Sequence, residues 1–414
     1  MSTYSTMYVG LSGMRSNEGA IGVIGNNIAN LNTVGFKGSR AVFSDVLSQT
    51  IIGRAGATQL GQGVGMAAVQ RLVTQGALLG TNVPTDLAIN GNGFFLVDGP
   101  DDTQMYTRNG QTQLDSEGFL TTVEGFRIQG YPADADGNLG SQLGDLQIAN
   151  TSSPPRATTE VNMLLNLNSE AVTPDEAFNP DDPDATSNFS QSMTVYDSLG
   201  GAHPVDVYFS RNGTGEWTYD VIADTDANPD TPADVIASGS LSFDENGQMS
   251  SESDGAFSVT FANGSAALDI TLGFEGTTAH EDPSTALSND QDGHGVGELQ
   301  FIEVGLDGTI TGIFDNATQQ TMGQLAVAMF DSPGGLSAAG NNLFAETSQS
   351  GEPAIGVAGS GGRGNVFAGA LEQSNVDLTE EFTHLITAQR GFQASSRTIT
   401  TADEMLVEIV NIKR

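Results

Sequence analysis

The chain opens with apolar residues at Tyr4, Met7, Leu11, Met14, Ile21, Ile24, Ile28 and Leu31, spaced three, four and seven apart. That spacing predicts one amphipathic helix with an apolar stripe on one face. Gly10, Gly13, Gly19, Gly22 and Gly25 interrupt it. Each costs about 0.5–1 kcal/mol relative to alanine in a helix interior. Alone such a helix is marginal, so packing against a neighbour is expected to form it. The pattern stops in "NNIANLNTVGFKGSR", residues 26–40. There Asn26, Asn27, Asn30, Asn32 and Gly35 are expected to end the helix through left-handed backbone angles.

At the other end the period is stricter. Leu378, Leu385, Phe392, Ile399 and Leu406 fall every seven residues, and Phe382, Ile386, Ile409 and Val410 widen the stripe. Asp377 with Glu380 resembles a capping box, and Lys413 and Arg414 suit the negative end of the helix dipole. A helix over 377–412 runs roughly 54 Å at 1.5 Å per residue. The heptad predicts a coiled-coil-like partner. The expected partner is the stripe of Met7, Leu11, Met14 and Ile21, in the same chain or a neighbour.

Between the ends the pattern changes to short alternating runs broken by turns. "DLAINGNGFFLVDG" reads as strand, glycine turn, strand, and Asn109-Gly110, Glu124-Gly125 and Asp307-Gly308 read as turns between strands. These place a discontinuous, mainly antiparallel β-domain over 71–148 and 296–350. A second β-domain, 149–295, is inserted between its halves. Residues 33–70 and 351–369, rich in glycine and weak in periodicity, read as linkers. The terminal helices, 1–32 and 370–414, form the remaining domain. The fold class is α+β, with a coiled-coil-like inner helical domain and two nested β-domains. Long helices with apolar seams and little local core point to assembly.

Composition narrows the function. Fourteen Lys and Arg against 51 Asp and Glu give a formal net charge of −37, which repels nucleic acid and anionic membranes. The absence of Cys removes disulfides, thiolate nucleophiles and Cys-held metals. No apolar run is long enough to span a bilayer, and the N-terminus is not a cleavable secretion signal. The glycine clusters at 61–65 and 91–93 lack a phosphate-loop form. The four His show no metal spacing. Asp134 to Asn138 and Asp290 to Gly295 resemble fragments of calcium loops, but the first lacks the glycine at loop position six. The second has Phe301 where the bidentate acid belongs, so both read as acidic turns. No acid/base or nucleophile constellation stands out, and no catalytic residue, cofactor or metal is expected.

"NNIANLNTVGFKGSR" resembles the N-terminal signature of the bacterial flagellar rod and hook axial proteins. "LAINGNGFFLV", "YTRNG", "LDSEGFL" and "QGY" resemble their shared β-domain. The segment from "GALEQSNVDLTEEF" to the end resembles their C-terminal helix. The central "VYDSLGGAHPVDVYF" and "LSFDENGQM" resemble the middle domain of the hook members. The resemblance implies a non-enzymatic subunit that self-assembles into a curved, flexible tube joining rod to filament. It implies export through the flagellar type III apparatus without cleavage, and an extracellular place in the flagellum. The implied partners are further copies of the chain, the rod, the hook cap and the hook–filament junction proteins, with no nucleic acid and no membrane insertion. The residues expected to carry assembly are Met7, Leu11, Met14, Ile21, Asn26, Asn27, Ile28, Asn30, Phe36 and Lys37 at one end. At the other they are Leu378, Leu385, Phe392, Ile399 and Leu406. Two other readings fit less of the pattern: a distal rod subunit with an insertion, and a secreted calcium-binding adhesin.

Overall fold

The computed structural model describes residues 3–46, 49–53, 56–99, 103–134, 137–148, 152–226, 233–253 and 255–412. Lys413, Arg414 and Asp136 lie outside them. The chain is mainly β, with long helices near its two ends, Thr3–Ala29 and Leu378–Ile412. It divides into two compact units: 1–149 with 301–312 and 319–414, and 150–300 with 313–318.

In the first unit, one sheet is assembled from segments far apart in sequence. Gln319–Met329 pairs antiparallel with Ile128–Pro132 and with Phe94–Asp98. Gln104–Thr107 and then Leu343–Ala345 extend it. Phe94, Leu96, Tyr106, Ala326, Phe330 and Phe344 form its core. The Tyr106 and Phe330 rings meet edge to face, 4.8 Å apart. Two short ribbons tie the approach to the C-terminal helix to the N-terminal half: Leu78–Gly80 with Ala370–Glu372, and Leu87–Asn90 with Asn365–Ala368.

The structure corrects three local expectations. The 33–70 linker holds a twisted hairpin, Ser39–Asp45 against Val64–Arg71, with Gln49–Gly53 and Gly56–Leu60 paired beyond it. Its longer strands are mostly exposed or half-buried on both faces, so no apolar/polar alternation announces them. Likewise 351–369 carries Ala354–Val357, which adds to Gln319–Met329, and Asn365–Ala368. Finally, Asn109-Gly110 does not join paired strands, because Thr112–Leu114 pairs with Leu120–Thr122 instead. Gly110 is there for close approach: its carbonyl accepts from the Leu87 N–H at 2.9 Å, and a Cβ would run into the Leu87 carbonyl.

The second unit has a five-stranded antiparallel meander, Phe189–Tyr196 to Met249–Glu252, and a four-stranded sheet built on Glu160–Asn166. Their inner faces share one core, with Trp217, Tyr219, Phe209 and Phe274 at its centre. The alternating burial of Phe189–Tyr196 and Glu216–Ala223 is what a half-buried strand writes into sequence.

Candidate assembly site

The two terminal helices lie side by side and antiparallel. Gly10 stands against Ile399, Gly13 against Ser395 and Gly391 against Asn17. Ala20 and Ile24 bury with Ala388, flanked by Ile21, Ile28 and Leu385, and Asn27 reaches Glu381 at 2.9 Å. The N-terminal seam therefore runs through Gly10, Gly13, Asn17, Ala20, Ile24 and Asn27, alternating three and four. The facing seam alternates in the same way, through Glu381, Leu385, Ala388, Phe392, Ser395, Ile399 and Ala402. Large residues at one heptad position alternate with small ones three residues on. A Cβ on Gly10 would sit 2.8 Å from the Ile399 Cγ1, and one on Gly13 would sit 2.8 Å from the Ser395 Oγ. Both are closer than van der Waals contact allows.

This changes the expected pairing. The closest approach is made by Gly10 and Gly13, beside Met7, Leu11 and Met14, which stay half-exposed. Large side chains there would hold the axes apart; glycine lets Ile399 enter. Leu385, Phe392, Ile399 and Leu406 are half-buried, whereas Leu378 stays exposed. The helix start is as expected on one side: the Asp377 carboxylate accepts from the Thr379 and Glu380 N–H groups at 2.7 and 3.1 Å.

The asparagines at the end of the first helix act through their side chains. None of Asn26, Asn27, Asn30 and Asn32 has positive φ; Gly35 alone in this stretch does, at 69°. Asn30 Nδ2 donates to the Asn26 carbonyl at 2.9 Å, and its Oδ1 accepts from Thr33 Oγ1 at 3.1 Å. Asn27 is buried and works on two elements. It accepts from the Ser39 N–H at 2.9 Å, donates to the Ser39 carbonyl at 2.7 Å, and donates to Glu381. It thereby clips the hairpin to both helices. Asn375 does the same from the C-terminal side, accepting from Gly38 N–H and donating to Leu72 O, each at 2.8 Å.

Below this junction lies a buried charge cluster. The Glu372 side chain, 1% exposed with its residue, takes Lys37 Nζ at 2.6 Å, the Gly76 N–H at 2.8 Å and the Arg108 guanidinium. Lys37 also donates to Thr74 O at 2.8 Å. Arg108 spreads its other donors over the carbonyls of Ile89, Gly91 and Gly93. Burial pushes the Lys37 ammonium below its ordinary value, with Glu372 pulling the other way. Phe36 is half-buried beside it, and its carbonyl receives Asn375 N–H at 3.4 Å. Gly35 must be glycine: besides its φ, a Cβ would lie 2.6 Å from the Arg108 carbonyl carbon.

Of the residues expected from sequence, Asn27, Asn30, Phe36 and Lys37 thus meet at one junction, with Leu385, Phe392 and Ile399 in the helix seam above it and Ile21 and Ile28 flanking that seam. Asn26 is exposed, and both its carbonyl and its Oδ1 accept from Asn30 Nδ2. Glu372, Arg108 and Asn375 were missed, as were the small seam residues Ala388, Ser395 and Ala402. The seam had a signal: the small residues follow the apolar heptad at a constant three. Glu372 had a weak one, an acid in the short strand Ala370–Glu372.

Among the described residues no cluster of His, Asp and Glu could hold a metal, and no helix is long and apolar enough to cross a membrane. In the calcium-like loop at 290–295, the Asp292 carboxylate is already taken by the N–H groups of Thr159 and Glu160, by Thr159 Oγ1 and by Arg156.

Family models match in the order of the chain. Residues 7–37 match the flagella basal body rod protein, 88–163 the flagellar hook protein FlgE/F/G D1 domain, 166–294 the flagellar basal body protein FlaE D2 domain, and 368–412 the flagellar basal body rod FlgEFG protein C-terminal. Terminal helices joined through this junction and followed by these domains define an axial protein of the flagellar rod and hook. Full-length relatives narrow the class. The flagellar hook protein FlgE of Salmonella typhimurium is 35% identical over 97% of this chain and 98% of its own. That of Borreliella burgdorferi is 34% identical over 99% of each, and that of Escherichia coli K12 33% over 97% and 98%. The crystal structure of Helicobacter pylori FlgE2 aligns with 71% of this chain and 99% of its own, at TM-score 0.48 and 15% identity. The chain belongs to the flagellar hook protein FlgE family and is a structural subunit of the bacterial flagellar hook. That family is not a known enzyme family, and neither the distal-rod nor the adhesin reading is favoured.

Proposed function

We propose that the chain polymerises through its terminal helices into the curved, flexible tube that joins rod to filament, meeting rod, cap and hook–filament junction proteins at its ends. In this reading the subunit crosses the flagellar type III apparatus unfolded, without cleavage, and orders outside the cell. Residues 1–32 and 370–414 form a coiled-coil-like assembly domain. Residues 71–148 with 296–350 form one β-domain, and 149–295 a second, inserted one. The alternating three-four seams on both helices support the first assignment, and the division of the chain near 149 and 300 supports the others. The Lys37–Glu372–Arg108 cluster, with Asn27 and Phe36, fixes the path from helix to sheet.

One observation carries the assembly reading. With the two helices packed on each other, Tyr4, Tyr8, Phe382, Ile386, Met405, Val407, Ile409 and Val410 remain exposed, most of them more than half. Apolar surface left out along one helical pair marks an interaction site, and identical subunits supply matching faces. Ile386→Asp and Val407→Asp should abolish sedimentable tubes while leaving the melting temperature of the monomer unchanged. Normal tubes from both variants would defeat the reading.

A further inference from the structure

In an acidic chain the few cations are informative. Outside the terminal helices every described one is engaged within its own chain. Lys37 and Arg108 hold Glu372, Arg40 holds Gln70, and Arg71 holds the Leu336 carbonyl. Arg127 holds Glu117 and Asp145, Arg156 holds Asp292, and Arg211 and Arg363 hold backbone carbonyls. Arg15, Arg390 and Arg397 stand apart. All three are exposed on the terminal helices, and no guanidinium of theirs has a hydrogen-bond or ion-pair partner among the described residues.

Their placement is regular. Arg390 and Arg397 each lie five residues after a large seam residue, Leu385 and Phe392. Glu404, also exposed, lies five after Ile399. Five residues on from the seam is the side of the helix turned away from its partner. The outward face of the C-terminal helix therefore carries a row of Arg390, Arg397 and Glu404, one heptad apart, or about 10 Å per step at 1.5 Å per residue. The seam contacts of Gly13 with Ser395 and of Asn17 with Gly391 bring Arg15 level with the stretch between Arg390 and Arg397. That level also carries the exposed Glu18, and the next heptad toward the chain end is acidic, with Asp403 and Glu404 exposed.

We infer that this row is an electrostatic register between copies: Glu404 of one subunit pairs with Arg390 or Arg397 of the next. Two copies at the same height would set arginine beside arginine and glutamate beside glutamate, which is repulsive. Displaced along the helix axis by two heptads (about 21 Å), Glu404 of one copy meets Arg390 of the next and no like pair remains; displaced by one (about 10 Å), Glu404 meets Arg397 while Arg397 meets Arg390. The row thus selects against the level arrangement as well as for the staggered one. The occupant is a second copy of this chain because the face supplies both signs of its own complement. The inference rests on the polymer reading above and specifies the stagger within it.

The test uses the purified full-length chain, its tube formation followed by sedimentation and electron microscopy, and monomer melting measured in parallel. Glu404→Arg should raise the concentration needed for tubes about tenfold, as attraction becomes repulsion; Arg390→Glu should do the same at a two-heptad stagger and should lower it at a one-heptad stagger, where it removes the Arg397–Arg390 clash. Monomer melting should not move, since these side chains hold nothing within the chain. A charge swap is the decisive measurement. Glu404→Arg combined with Arg397→Glu should restore tubes if the stagger is one heptad, and Glu404→Arg combined with Arg390→Glu if it is two. Failure of both swaps, Glu404→Arg without effect, or a fall in monomer melting overturns the proposal while wild-type tubes leave the assembly reading intact. A wild-type chain that stays monomeric at every salt and concentration overturns both.

Discussion

Glu372→Gln is a severe test of the junction. The substitution keeps shape and volume and removes one charge. In the native chain that carboxylate is shared by Lys37, by Arg108 and by the Gly76 N–H, and all three ionic side chains are at most 5% exposed. Glutamine leaves two buried cations with no anion and turns an amide N–H₂ toward one of them. Removing one partner of a buried pair costs about 3–5 kcal/mol, and here the upper half of that range is expected because two cations depend on one group. Lys37→Met makes a graded comparison. It deletes an ammonium whose charge burial already disfavours, and it leaves Arg108 on Glu372. Its expected cost is about 1–2 kcal/mol, from the vacated Thr74 carbonyl and the freed carboxylate oxygen.

Calorimetry of the monomer reads the first unit, and fluorescence of Trp217, the sole Trp and buried in the core of the second unit, provides a control. The calorimetric transition should fall in the order Glu372→Gln, then Lys37→Met, then wild type. A loss below about 1 kcal/mol for Glu372→Gln, or the reverse order, would refute the view that this charge anchors the junction.

Two further predictions concern the helix seam and the second unit. A Cβ on Gly22 would find nothing within 4 Å, whereas one on Gly10 meets Ile399 and the Ser395 carbonyl; Gly22→Ala should stabilise the monomer by about 0.5–1 kcal/mol and Gly10→Ala should destabilise it, and equal effects by circular dichroism melts would contradict the close approach. Asp197 is buried, and although burial alone would raise its carboxyl, hydrogen bonds from His203, Asn263 and the Gly201 and Leu199 N–H groups outweigh that and lower it to about 2. A folded value below the unfolded one gives stability that is present above about pH 4 and is lost as pH falls toward 2, at most about 2 kcal/mol; Asp197→Asn should flatten Trp217-monitored stability over that interval, and an unchanged slope would refute it.

The heptad at 378–406 and the apolar stripe at 4–31 make both helices legible, because a one-sided helix repeats its pattern over many turns. The antiparallel register is not legible from hydrophobicity, since Gly10, Gly13, Ala388 and Ser395 act by being small; on the C-terminal helix their mark is the constant spacing of three after the apolar heptad. Strands with one buried face, such as Glu216–Ala223, are readable from alternation. The hairpin at 39–71 is not, because neither of its faces is fully covered. At the junction Lys37 and Phe36 stand out as a cation and an aromatic in a polar turn. Glu372 and Arg108 lie 264 residues apart, and no local pattern joins them.

The same distinction explains how this chain is built for assembly. The interactions that must survive in the monomer are long-range and satisfied: Glu372 with its cations, Asn27 and Asn375 on backbone groups, Phe94 and Tyr106 in a closed core. The helices carry groups left unused: exposed Phe382, Ile386 and Val407, and Arg15, Arg390 and Arg397 with no side-chain partner among the described residues. A subunit that spent those groups within its own fold would have no directional contacts left for a neighbour. One that left the junction equally loose would deliver its helices at variable angles, and a regular tube needs a fixed one. Glycine in the seam reconciles the two demands. It weakens the isolated helix by about 0.5–1 kcal/mol at each position, yet at Gly10 and Gly13 it permits the close contact with Ile399 and Ser395.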